Sequence, residues 1–161
     1  MKNVILIGLG AWICFIIQYF FSELFSPWFR PNLLLLLVIF FNLYRGIRYS
    51  LLVAFFAGLI SDSFTPDFFG INIFIFMMSA YLTTFLKMYI YESGSSASRF
   101  FLIFFITSCF GLMEFLVRMV LFSVDFGEAF RYQLLPQTFA TAVVALYVMK
   151  RLRQCALRLF A

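Results

Sequence analysis

Nearly all the charge in this chain lies at the ends of long apolar runs, and that arrangement fixes the solvent before any fold is considered. The runs are about Val4–Phe25, Pro31–Tyr44, Tyr49–Phe64, Phe68–Leu86, Phe100–Leu121 and Tyr132–Met149. A soluble domain of 161 residues needs a charged shell, whereas here 12% of residues are charged and 65% are hydrophobic, with a mean hydropathy of +1.03. Runs of this length and composition read as membrane helices. The expected fold is a single all-α integral membrane domain over residues 1–161, a compact bundle of six transmembrane helices. The first run exceeds a signal-peptide core and no small-x-small cleavage site follows it, so it is kept as the first helix.

The few charges orient the bundle. Lys2, Arg45, Arg48, Lys87, Arg99, Lys150, Arg151, Arg153 and Arg158 fall on one side, with only Arg30 and Arg131 opposite and Arg118 inside the fifth segment. The excess of cations marks the cytoplasmic side and puts both termini there. Glu23, Asp62, Asp67, Asp125 and Glu128 collect on the other side. An odd number of crossings scrambles this separation; merging segments two and three is the main competing reading. The net charge of +5 does not indicate nucleic acid, because the cations are dispersed over short loops and a tail. The absence of His removes Ser/His/Asp triads, HExxH zinc sites and His proton relays, so an enzyme is not expected and no cofactor or metal site is indicated. Cys14, Cys109 and Cys155 show no CxxC spacing and read as structural thiols.

Segments two and three are the short ones. Fourteen helical residues from Pro31 to Tyr44 reach about 21 Å against a hydrocarbon core of about 30 Å. Either the stretch Ser26–Arg30 adds depth inside the protein or neighbouring helices shield this hairpin from lipid, since unpaired backbone does not face hydrocarbon. Pro31 suits a first helical position, which sets Arg30 just outside it. If the turn centres on Gly46, Arg30 and Asp62 are each sixteen residues from it and lie at the same outer level. Asp62 stands at a helix C-terminus, where the dipole disfavours an anion, so pairing with Arg30 is one reading. The other is an Arg30 that snorkels and an Asp62 that opens the next loop.

Gly58, one turn before Asp62, offers a side-chain-free spot for close approach of another helix. Gly70 reads as a relaxed backbone position between segments three and four. In "MEFLVR", Glu114 and Arg118 stand four apart with the acid first, the better order for a helical pair. Such a pair inside a membrane faces protein, a partner or a water-filled cleft. Gln18, Asn42, Gln137, Thr138 and Thr141 are the nearest candidates for further polar contacts. The 26 Phe read as lipid-facing bulk and helix packing, and the tail "KRLRQCALRLF" as an end anchored at headgroups.

The tripeptide "RPN" (Arg30, Pro31, Asn32) is followed by "GLISD" and "FTPDFFG", a Gly-x3-Asp-x7-Gly run through Gly58, Asp62 and Gly70. With the length and hydropathy of the chain, this pattern resembles the rod shape-determining protein MreD family over essentially the full chain. The resemblance implies a non-enzymatic subunit of the bacterial elongation machinery in the inner membrane. Such a subunit binds MreC and helps position the peptidoglycan synthase complex, with the actin-like MreB filament as an indirect partner. It also implies a fold similar in outline to the substrate-binding S-components of energy-coupling-factor vitamin transporters. A small-molecule binding subunit of such a transporter is therefore the alternative. A transporter subunit needs converging polar groups around a solute, and a scaffold needs an apolar groove for a foreign helix.

Overall fold

Residues 2–24, 31–64, 69–90, 96–122, 137–145 and 147–148 are those described by the computed structural model, and their regular structure is helical throughout. The helices are α1 (Lys2–Leu24), α2 (Leu33–Arg45), α3 (Ile47–Phe64), α4 (Ile71–Ile90), α5 (Ser96–Phe122) and α6 (137–145). Among the described residues, three stretches are long and apolar enough to cross a membrane: Ile47–Phe64, Ile71–Tyr89 and Phe100–Val117.

The shortest of the long apolar segments lies at the centre. At 13 residues α2 spans about 20 Å. Its residues from Leu34 through Phe40 are all buried, and it packs against α1, α3, α4 and α5. Neighbouring helices surround α2 and shield it, so its ends meet protein groups, while the stretch Ser26–Arg30 lies outside the described residues. Leu-rich sequence favours the helix. Gly46, at φ 87°, ends it, because a left-handed backbone costs glycine little. The Gly46 N–H donates to Asn42 O (3.2 Å), and Gly46 O accepts the Ser50 N–H (3.2 Å), so α3 starts one residue later. Ser50 Oγ then donates back to Val38 O (3.0 Å), sewing α3 to α2.

Several boundaries differ from the sequence expectation, each for a local reason. The first position of α2 is Leu33, because Asn32 rather than Pro31 makes the capping hydrogen bond. The third segment is not short: α3 has 18 residues, about 27 Å, because the turn before it consumes only Gly46. The fourth helix begins at Ile71 instead of Phe68, since Gly70 at φ 103° interrupts it, and it runs on to Ile90. The connector 92–99 is partly helical, with α5 beginning at Ser96.

Aromatic contacts fasten the outer helices. Phe15 of α1 stacks on Phe64 of α3 at 4.7 Å, and Phe76 of α4 meets Phe110 of α5 at 5.0 Å.

Candidate functional site

Gly58, Asp62 and Gly70 converge on one object, the first turn of α4. A helix leaves its first N–H groups without internal partners, and α4 opens on Gly70-Ile71 with no Ser, Thr, Asp or Asn at the capping position. Asp62 supplies the missing acceptors from the last turn of α3. Its Oδ2 accepts the N–H groups of Gly70 (2.9 Å) and Ile73 (3.2 Å), and its Oδ1 accepts that of Asn72 (3.0 Å). The carboxylate is buried, with 5% of the residue exposed, so these donors and the positive end of the α4 dipole are what stabilise its charge.

Gly58 and Gly70 make that geometry possible. A Cβ on Gly58 would overlap Ile73 Cα and lie 2.7 Å from Ile73 N, well inside contact distance. Gly58 therefore lets the α4 backbone lie directly on α3, and Asp62, one turn on, bonds the same Ile73. Gly70, with φ 103°, turns its own N–H onto the carboxylate. Pairing with a cation is one of the two sequence readings of Asp62; the described partners of its carboxylate are backbone N–H donors. Arg30 lies outside the described residues, and its pairing with Asp62 lies there too.

Asn32 has the same job at α2. Asn32 Oδ1 accepts the Leu35 N–H (2.9 Å), while Gln18 Oε1 of α1 accepts those of Leu33 (2.9 Å) and Leu34 (3.3 Å). The Asn32 N–H donates to Thr141 Oγ1 of α6 (3.1 Å). Pro31 is buried just ahead of the cap. At the other end, Lys87 of α4 donates to Leu43 O (2.9 Å) and Asn42 O (3.3 Å), a cation on the negative end of α2. Asn42 Nδ2 donates to Ala80 O (2.8 Å) and Thr84 Oγ1 (2.9 Å) of α4. Of the polar residues singled out from sequence, Gln18, Asn42, Gln137 and Thr141 all make contacts between helices. Lys87 was legible only as an orientation signal, and nothing in its spacing marks it as a cap.

Glu114 of α5 is half-buried, and its Oε2 accepts from Gln137 Nε2 of α6 at 3.4 Å. The Arg118 side chain lies outside the described residues, and with it the Glu114–Arg118 pair. Between α4 and α5 runs a cavity of about 330 Å³. Met78, Tyr81 and Phe85 line it from α4, and Cys109, Phe110 and Met113 from α5. Ser79, also in its wall, is turned onto its own helix, with Oγ donating to Ile75 O (2.6 Å).

A bundle with three helices fit to cross a membrane among its described residues, and with buried polar side chains bonded to its own helices, is a helical membrane protein. The chain matches the family model described as rod shape-determining protein MreD over residues 2–154 and belongs to that family. The family acts in rod shape determination and is not a known enzyme family. No curated protein and no solved structure matches the chain.

Proposed function

We propose that this chain is a non-enzymatic scaffold subunit of the bacterial cell-elongation complex. It crosses the inner membrane six times with both termini in the cytoplasm. It binds MreC, whose single transmembrane helix packs on the bundle, and so helps hold peptidoglycan synthesis enzymes near the MreB filament. The corner around Arg30 and Asp62 shapes the periplasmic rim where the soluble part of the partner begins.

The observation that carries this reading is where the polar side chains go. Asn32, Asp62 and Lys87 each bond backbone of the same chain at a helix end, and Asn42 bonds Ala80 O in the middle of α4, an arrangement that builds a rigid body. The cavity between α4 and α5 is lined mainly by Met, Phe, Leu and Tyr, with Cys109 beside them and the Ser79 hydroxyl turned onto its own helix, which suits a foreign helix better than a vitamin. The transporter reading requires converging polar groups there.

The test is affinity purification of the full chain from mild detergent after co-expression with full-length MreC. The scaffold reading expects a stoichiometric complex. Recovery without MreC, but with ATPase subunits and a bound solute, contradicts it and favours the transporter subunit.

A further inference from the structure

Tyr81 lies within one residue of the midpoint of the candidate span Ile71–Tyr89. Tyrosine belongs at membrane interfaces, where its hydroxyl reaches water. With α4 across the bilayer, the Tyr81 hydroxyl is held at the depth where neither water nor lipid headgroups are available. Its side chain is 54% exposed and lines the cavity between α4 and α5. Among the described residues its hydroxyl has no hydrogen-bond partner. An unpartnered hydroxyl in hydrocarbon is costly, and buried tyrosines ordinarily satisfy theirs.

We propose that the α4/α5 cavity is the seat of one transmembrane helix of a partner chain, which offers a hydrogen-bonding group to Tyr81 at mid-membrane. An acyl chain matches the apolar walls but has no acceptor at that depth. A second copy of this chain docking through the same face fits poorly, because its α4 presents Met78, Tyr81 and Phe85, and two such bulky ridges keep their backbones apart. A helix with small residues at the crossing point meets both demands: its backbone comes close enough for Tyr81 to reach a carbonyl or a short polar side chain. Cys109 leaves room at the α5 side, and Met78 and Met113 are unbranched side chains that adapt to a guest surface. The cavity assignment rests on the scaffold reading and adds to it the face used and the residue that reads the partner.

The test places a photo-crosslinking p-benzoylphenylalanine at position 81 of the full chain, reconstituted with full-length MreC in nanodiscs of phosphatidylethanolamine and phosphatidylglycerol. The expected adduct maps to the transmembrane segment of MreC. Tyr81→Phe is expected to weaken MreC binding about threefold, the size of an average hydrogen bond between membrane helices. Cys109→Phe, which fills the cavity, is expected to weaken it about tenfold or more. Adducts confined to lipid or to a second copy, or wild-type affinity in both variants, overturn the cavity assignment while the scaffold reading stands. If the unmodified chain fails to bind MreC at all, the scaffold reading fails first and takes this site with it.

Discussion

Toward α3, helix α4 offers its backbone: Ile73 lies against Gly58, and the N–H groups of Gly70, Asn72 and Ile73 end on Asp62. Toward α5 it offers side chains, with Met78, Tyr81 and Phe85 bordering a cavity of about 330 Å³. The first contact is close and polar, with three N–H groups on one carboxylate; the second is loose and apolar, and holds a hydroxyl with no hydrogen-bond partner among the described residues. The difference separates two roles on a single helix. Residues of the Gly-x3-Asp-x7-Gly run fix where α4 sits, and the face toward the cavity is the one proposed to meet another chain.

Substitutions on the two faces should therefore differ in kind. The largest effect is expected at Gly58. Gly58→Leu drives a side chain into the α4 backbone and should cost about 3 kcal/mol or more, read as loss of monodisperse protein and a lowered unfolding temperature in detergent. A Gly58→Leu protein as stable as wild type would remove the close approach from the account. Tyr81→Phe lies at the small end. It should leave stability within about 0.5 kcal/mol by the same measurement, because the hydroxyl has no hydrogen-bond partner among the described residues. A large destabilisation there would make Tyr81 part of the fold and blur the contrast between the faces.

The sequence shows the two faces unequally well. The shortness of α2 is plain from a count of residues, and shielding follows because lipid supplies no hydrogen bonds. Gly58 is readable too, since an interior glycine one turn from a charged residue has few other uses. Asp62 is harder. Its partners lie eight to eleven residues onward, across a connection whose path no local rule dictates. Its place at a helix C-terminus also draws attention to a missing cation. The available signal is in the other helix: α4 opens without a capping side chain and without an acid in its first turn, so an acceptor has to come from elsewhere. Tyr81 is hidden by composition, one aromatic among many, and stands out only when its depth and its lack of a partner are seen together.

The role of Asp62 is most directly tested by exchanging the charges, with Arg30→Asp and Asp62→Arg made singly and together, and folded yield and MreC capture measured for each. Arginine has no acceptor to offer the N–H groups of Gly70, Asn72 and Ile73. The double variant should therefore remain as impaired as Asp62→Arg alone. Recovery to wild-type levels in the double variant would show that attraction between positions 30 and 62, and not the capping of α4, is what the chain needs from this corner.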